Sequence, residues 1–543
     1  MVVTRVGGRE VHARVGPAPS VPSAPTGSVA RRRWRARRRG SDRHGLGRAA
    51  LPVGLVGVVV ACVLPWQRAT RMGLSGDVFW HLAAGQWMVA HHAVLTRDVF
   101  SYTVTGHPWH TPEWGFEVGL AEGVHLLGPV AYWLASAGLA TVTVVLVAWR
   151  SRLAGAGWIW TGLLAFEAGM ALTMLLADRP QMVSYALFAG LLVVLALARR
   201  RTRWLWVVPP LFVLWTNVHG SFLLGLGVVG LEAVLALWPA QWPAHVGRVA
   251  AGHTLPVRPA MAALAGAAGA TLVNPFGTGV YRAAFGVAFN PQVRQLISEW
   301  QSPDFHGLLV PAVVLLPLLF VVAHLALSGR SVPAGAFVLY VVLLVATLQS
   351  ARFIPYAAIA WCALAASLSP LQHEQLRPSL LVWPVAGLLG LSMLAGPWVR
   401  PGTPASSIPV RAVALVRHSP GHVFSTYVWN DYLLGQHIPV FVDGRTELYT
   451  ADGVLTRYLE VDAATVDPDA VLLPAGVTDV LWPRHSALAT VLARDPLWHV
   501  RWRSASAVLF ERAGVPAGAR SAPGAAPVAA AGGTPRPVPG VTR

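Results

Sequence analysis

Apolar stretches recur along most of this chain, and they leave few folds open to it. A helix rises about 1.5 Å per residue, so about 20 apolar residues cross a hydrocarbon core some 30 Å thick. Stretches of this kind lie near 50–66, 130–149, 156–177, 180–198, 204–217, 219–238, 260–274, 307–327, 332–349, 352–369 and 379–396, with Pro209, Pro210 and Pro317 interrupting two of them. Only 12% of the 543 residues are charged and 54% are hydrophobic, whereas about a quarter of an average soluble domain is charged. Too few charges exist to cover a soluble surface of this size. The expected fold class is a polytopic α-helical membrane protein with about eleven transmembrane helices.

The net charge of +18 comes entirely from arginine among the strong cations, and twelve arginines before Ala49, against Glu10 and Asp42, supply +10 of it. The basicity therefore belongs mostly to one arm and gives no reason to expect a nucleic-acid partner. Residues 1–48 are rich in Arg, Pro, Gly and Ser without apolar periodicity, which reads as a disordered arm. A cleaved signal is excluded by the length of the basic region and by the lack of a small-residue cleavage site after Trp66. Arg31 to Arg39, Arg150 and Arg152, Arg199 to Arg203, Arg248 and Arg258, Arg330 and Arg377 fall on alternate loops. The positive-inside rule puts those loops and the N-terminal arm in the cytoplasm and everything after Trp398 outside. Cys62 and Cys362 sit within apolar runs and offer no disulfide framework.

The transmembrane domain then runs over 49–399 and includes a large first outer loop, 67–129. Two helices are expected in that loop, lying along the membrane surface with Phe79, Leu82, Trp87, Trp114, Val118 and Leu126 at headgroup depth. Residues 400–513 turn polar. There VFSTYVWNDYLLGQH, PVFVDGRTELY, VTDVLWP and WHVRWRSASAVLFER read as strand-like runs among helical patterns at 451–459 and 486–492, an outer α/β domain. Residues 514–543, rich in Ala, Gly, Pro and Arg, read as a disordered tail.

Acidic residues are scarce, so their concentration in the first outer loop stands out. Asp77 lies just beyond the first span beside Trp80 and His81, and Glu113 follows among Trp109 and Trp114. A carboxylate near the lipid phosphate plane can accept the proton of an acceptor hydroxyl in glycosyl transfer. The bland alternative is ordinary solvation of a loop. His81, His107 and His110 could join these acids around a divalent cation, but their spacing matches no closed motif. No metal ligand is assigned, and a divalent metal stays open as a cofactor. Arg179 and Arg352, at the outer ends of spans, suit a lipid phosphate or a pairing with Asp178, Glu299 or Asp304. Asn217, His219, Asn274 and Gln301 can bond sugar hydroxyls or cap helices. Glu167 falls mid-span, where a carboxylate needs a partner or a cavity. Asp443-Gly444-Arg445 reads as a turn at a strand end. Asp77 and Glu113 are thus the candidate catalytic residues, and His81, Arg179, Asn217, His219, Glu299, Gln301 and Arg352 the candidate substrate-binding ones.

The run GDVFWHLAAGQWMVAHHAVLTRDVFSYTVTGHPWHTPEW, the later RPQMVSYALFA, WTNVHGSFLLG, LVNPFG and ISEWQSPDF, and the outer VFSTYVWNDYLL with VFVDGRTELY resemble bacterial polytopic membrane proteins of the GT-C glycosyltransferase-like group, over about 70–512. That resemblance implies a bacterial inner (plasma) membrane location, a cytoplasmic N-terminus, an essential first-loop acid, a polyprenyl-phosphate-linked sugar donor and an outer C-terminal domain. By position Asp77 takes the place of the first-loop acid, with Glu113 second. The sequence departs from the better-known pattern in having Val78 after Asp77, so no paired acid stands beside it. The implied activity is transfer of a hexose or pentose from the lipid-linked donor to a cell-envelope glycan, lipid or protein. A transporter or lipid flippase would instead line a mid-membrane path with charge, for which Glu167 is the main candidate. A non-catalytic scaffold binding envelope glycans would make the first-loop acids dispensable.

Overall fold

The computed structural model describes residues 53–238, 245–246, 249–250, 254–328, 331–369 and 399–514. The arginine-rich arm, the expected span at 379–396 and the tail beyond Gly514 lie outside them.

Every expected span within the described residues holds a helix. These are α1 (Val53–Ala69), α4 (Val130–Leu153), α5 (Trp158–Met174), α6 (Gln181–Ala198), α7 (Val208–Val218), α8 (Phe222–Ala236), α9 (Val257–Ala270), α12 (Leu309–Leu327), α13 (Ala334–Gln349) and α14 (Ile354–Ser367). The helices α2 (Asp77–His91) and α3 (Trp114–Leu127) follow α1, and α10 (Gly279–Phe289) and α11 (Pro291–Leu296) follow α9. By length and composition, α4, α6 and α12 can each cross a membrane, and five shorter apolar helices accompany them. The stretch at 204–217 is not one α-helix, because a 3-10 turn over Thr202–Val207 precedes α7. Pro209 and Pro210 explain the break, since neither can donate a backbone hydrogen bond and both are tolerated only in a first turn. Within α4 the segment Leu134–Gly138 is a π-helix, and this wider turn carries Ser136 at the start of the span. Glu167 has a partner inside the bundle, accepting a hydrogen bond of 2.7 Å from Trp361 Nε1. A small sheet of β1 (His245–Val246), β2 (Val249–Ala250) and β3 (Val332–Pro333) joins α8, α9 and α13.

The C-terminal residues form a four-stranded sheet in the order β4 (His422–Ser425), β5 (Val477–Pro483), β7 (Ala507–Arg512), β6 (Trp498–Arg503). β4 and β5 run parallel, and the other two pairings are antiparallel. The central β5 is buried along nearly its whole length, as a strand covered on both faces must be. Helices α15 (Val410–Val416), α16 (Tyr427–Gly435), α17 (Val454–Asp462), α18 (Pro468–Leu472) and α19 (Ala487–Leu492) cover the sheet. Two strand expectations give way. VFSTYVWNDYLL is strand only to Ser425, after which Thr426 accepts a hydrogen bond from the Trp429 N–H and starts α16; PVFVDGRTELY is extended loop and a 3-10 turn at Thr446–Tyr449. An N-cap threonine ends a strand readily where its side chain can satisfy the first helical donors.

The first-loop helices also differ from expectation. Phe79, Leu82 and Ala83 are buried in the protein, in one core with Tyr432, Leu433 and Val440 from the C-terminal residues. Phe79 meets Tyr432 edge-on at 4.9 Å. Their apolar area is therefore covered by protein, and Leu126 alone of the six named residues is largely exposed, at 75%.

Asp98 of the first loop is joined to the C-terminal residues by a buried ion cluster. Arg445 is 0% exposed and contacts Asp98 Oδ1 at 2.7 Å and, through Nε, Asp443 Oδ1 at 2.8 Å. Its guanidinium lies over Trp109 at 4.7 Å and Phe100 at 5.1 Å, and Tyr449 donates to Asp443 at 2.6 Å. The turn expected at Asp443-Gly444-Arg445 is thus the hub of a contact between distant segments.

Candidate functional site beneath the C-terminal residues

Asp77 opens α2, and Arg179 precedes α6, with Pro180 closing the turn between them. Arg179 Nε lies 2.8 Å from Asp77 Oδ2, and its NH1 donates to Glu299 Oε1 at 2.7 Å. Glu299 sits on a 3-10 turn, Ser298–Trp300, whose carbonyl accepts from Ser350 Oγ at 2.9 Å. Burial works against the charge of Arg179, yet Asp77 and Glu299 hold its guanidinium above its ordinary value. Arg179 is therefore occupied by two carboxylates, and of its two expected roles the structure shows the pairing with Glu299, joined by Asp77.

Arg352 follows Ser350 and has no carboxylate partner among the described residues. One nitrogen lies 3.3 Å from His219 Nε2, and the guanidinium covers the Trp300 ring at 5.0 Å. His219 is fixed in turn by Ser221, at 2.8 Å from Nδ1, and Tyr356 donates to the same hydroxyl at 3.0 Å. Several Arg352 N–H groups remain for an anionic ligand, since a guanidinium carries five donors in a fixed fork.

Glu113 lies between the two histidines, 3.8 Å from His81 Nε2 and 3.7 Å from His219 Nε2. One turn into α3, the fully buried Glu117 bonds His81 Nδ1 at 3.1 Å and accepts from Thr111 at 3.2 Å. Helices α2 and α3 come this close because Gly85 has no side chain, as a Cβ there would stand 2.0 Å from the Glu117 carbonyl oxygen. Burial pushes the Glu113 carboxyl up to about 8, with Arg352 pulling the other way. Burial and then the neighbouring Glu113 hold Glu117 well above the usual carboxylate range. Burial, helped by Arg179 and His219, keeps the His81 imidazole well below its ordinary value. All three shifts favour the neutral forms, and within the trio the hydrogen bond runs between His81 and Glu117.

The ligand atoms of His81, Glu113 and Glu117 lie within 4.8 Å of one another, and Glu117 Oε2 is buried with no hydrogen-bond partner among the described residues. One imidazole and two carboxylates suit a divalent cation, so these three are the residues that would hold one. His107 and His110 do not join them: His107 pairs with the exposed Asp452 at 2.9 Å, and His110 packs on Phe276.

Of the residues singled out from sequence, Asp77, His81, Glu113, Arg179, His219, Glu299 and Arg352 converge. Asn217 does not offer free groups, because Oδ1 accepts from Trp114 Nε1 at 2.8 Å while Nδ2 donates to the Val213 and Val273 carbonyls. Gln301 donates to the Gln295 carbonyl at 2.7 Å and is exposed. Residues not singled out also belong here, namely Glu117, Trp300 and the buried Asp431 of α16. Their only sequence signals were an acid in an apolar helix and a Trp beside Glu299.

A cavity of about 310 Å³ adjoins the Asp77 cluster, lined among others by Arg68, Ser75, Asp178, Arg179, Glu299 and Arg400. Burial raises the Asp178 carboxyl to about 6, against a hydrogen bond from Ser136 and the charge of Arg179.

No family model matches the sequence, and no curated protein matches it. Among solved structures the chain is similar to the archaeal oligosaccharyltransferase AglB of Archaeoglobus fulgidus, in complex with an inhibitory peptide and a dolichol-phosphate, at 11% identity and TM-score 0.48 over 79% of this chain and 69% of that one. The apo form of the Archaeoglobus fulgidus oligosaccharyltransferase gives 10% identity and TM-score 0.47 over the same shares. ArnT from Cupriavidus metallidurans, bound to undecaprenyl phosphate, gives 14% identity and TM-score 0.44 over 84% of this chain and 97% of that one.

Proposed function

We propose that this protein is a membrane glycosyltransferase of the GT-C type, moving a hexose or pentose from a polyprenyl-phosphate-linked donor to an acceptor on the outer face of the membrane. The observation that carries the reading is the convergence of Asp77 with Arg179, Glu299 and Arg352. These residues come from four separate segments. An acid suited to proton transfer is set near an arginine with open donors, on top of an apolar bundle.

In this reading Asp77 takes the proton of the acceptor hydroxyl as that oxygen bonds to the anomeric carbon. The bond from the anomeric carbon to the phosphate oxygen breaks, and the electron pair leaves with the phosphate. Arg352 stabilises the leaving charge, where fixed donors in a partly dry site act most strongly. Arg179 is the positioning residue for Asp77, and Trp300 orients Arg352 through its ring face. A divalent cation at His81, Glu113 and Glu117 would add positive charge beside the site. The Asp77 and Glu113 side chains are similarly exposed, at 27% and 21%, but Glu113 stands between two imidazoles while Asp77 pairs with Arg179, a residue that lines the cavity, and this favours Asp77 as the base. The acceptor is a lipid, an envelope glycan or a protein.

The test is sugar transfer by purified protein in lipid nanodiscs with a polyprenyl-phosphate sugar. Asp77→Asn keeps shape and one hydrogen-bonding oxygen but cannot act as a base, and should lower the rate roughly 100-fold or more without changing the melting temperature. Full activity in both Asp77→Asn and Glu113→Gln would refute the mechanism.

A further inference from the structure

Asp431 lies in α16, far along the chain from the first outer loop, and its carboxyl reaches the start of α2. It is completely buried. Oδ1 accepts the Gly444 N–H at 2.7 Å. Oδ2 has no donor among the described residues, and a Cβ on Gly76 would stand 2.8 Å from the Val428 carbonyl oxygen and 3.1 Å from Oδ2, so a side chain just before Asp77 would force a shift. Oδ2 therefore faces the backbone just before Asp77, whose carboxyl is the strongest charged neighbour of Asp431.

Two carboxylates at this range repel strongly in a dry site unless one of them keeps a proton. The charged and titratable groups around Asp431 among the described residues are Asp77 on α2, Asp443 before Gly444, Arg179 between α5 and α6, Tyr427 on its own helix and Tyr458 on α17. Arg179, the cation acting on Asp431 among the described residues, already serves Asp77 and Glu299. Asp431 makes no ion pair among the described residues. A proton on its Oδ2 turns the repulsion into an O–H···O bond and satisfies both orphaned oxygen and neighbour.

We propose that Asp431 is the positioning residue for Asp77: as a carboxylic acid it donates through Oδ2 to the Asp77 carboxylate, so that the C-terminal residues complete the site of the first loop. The hydrogen bond is inferred from the orphaned Oδ2 and its place against the start of α2, and its catalytic value rests on the transferase reading above. Burial, followed by Asp77 and Asp443, also holds the Asp431 carboxyl well above the usual carboxylate range. Asp431→Asn keeps an N–H donor for Asp77 at the same place, while Asp431→Leu keeps the volume and removes the donor.

The first measurement is the infrared spectrum of the full chain in nanodiscs at pH 7. A protonated-carboxyl band present in the parent should be missing from Asp431→Asn and shifted in Asp77→Asn. Identical spectra for the parent and Asp431→Asn would overturn the proposal whatever the protein's activity. The second is sugar transfer, where Asp431→Leu should lower kcat by ~10–100-fold, the scale of a misplaced catalytic group, with donor KM unchanged, and Asp431→Asn should restore most of it. Equal loss in both variants, or none in either, would remove the positioning role. If the parent itself transfers no sugar, the transferase reading fails while the infrared result still decides the hydrogen bond. Should Asp431→Leu fail to fold, Asp431→Asn alone carries the spectral test.

Discussion

Replacing Arg445 by methionine tests how the first loop is held. The side chain is 0% exposed and stands between Asp98 and Asp443, which are buried to the same degree. Methionine keeps most of the stem packing on Trp109 and Phe100 and removes the cation that both carboxylates touch. Removing one partner of a buried ion pair costs about 3–5 kcal/mol, because the remaining charge stays desolvated. Here two carboxylates are stranded, which argues for the upper end. Against that, Asp98 still accepts the Ser101 hydroxyl at 2.7 Å and two backbone N–H groups, and Asp443 still accepts from Tyr449. A loss of about 4 kcal/mol is therefore expected, a large share of the roughly 5–15 kcal/mol that stabilises a typical domain. The assay is denaturant unfolding in detergent micelles, followed by tryptophan fluorescence. Because the cost is stranded charge, Asp98→Asn should recover part of it: the double variant should be more stable than the sum of the single losses by about 1–3 kcal/mol. An Arg445→Met protein that unfolds with the parent, or a double variant showing strict additivity, would refute the reasoning.

Arg352→Lys keeps the charge but loses the planar fork, so it should weaken donor use less than Arg352→Ala; parental rates for Arg352→Ala at limiting donor would remove this residue from the site. The raised carboxyl of Asp178 gives a pH signature with a definite sign. Its folded value of about 6 exceeds the ordinary 3.8, so between those values the folded state retains a proton that the unfolded state releases. Stability should fall as pH rises through that window, by at most about 1.4 kcal/mol per pH unit. Asp178→Asn should flatten the fall, read as melting temperature from pH 4 to 7; parallel curves for the two proteins would contradict it.

The helices were legible because long apolar runs have few stable forms besides a helix whose backbone bonds are satisfied within it. The site was legible where rarity carried information: Asp77 and Glu113 are acids in an acid-poor chain, and Arg179 and Arg352 are cations at span ends that repel them. The Glu299 partner of Arg179 was among the pairings the sequence offered, but its contact with Asp77 was hidden, since the two lie about 100 residues apart. Asp431 was hidden more deeply. VFSTYVWNDYLL alternates well enough for a strand, and only the Thr426 cap turns it into a helix that aims the carboxyl at Asp77. Asn217 misled for the opposite reason, because an amide at a helix end looks alike whether it meets a sugar or, as here, a tryptophan and two carbonyls.

The Asp98–Arg445 contact joins residues roughly 350 positions apart, and this sets an order of events during synthesis. At about 5–20 residues per second, a ribosome needs roughly 20–70 s to go from one to the other. For that interval Asp98 has no guanidinium, and the apolar faces of α2 and α3 have no Tyr432 or Leu433 to cover them. Residues 67–129 then present an unfinished apolar surface until α16 arrives. A stop codon anywhere before Arg445 would strand it in that condition permanently.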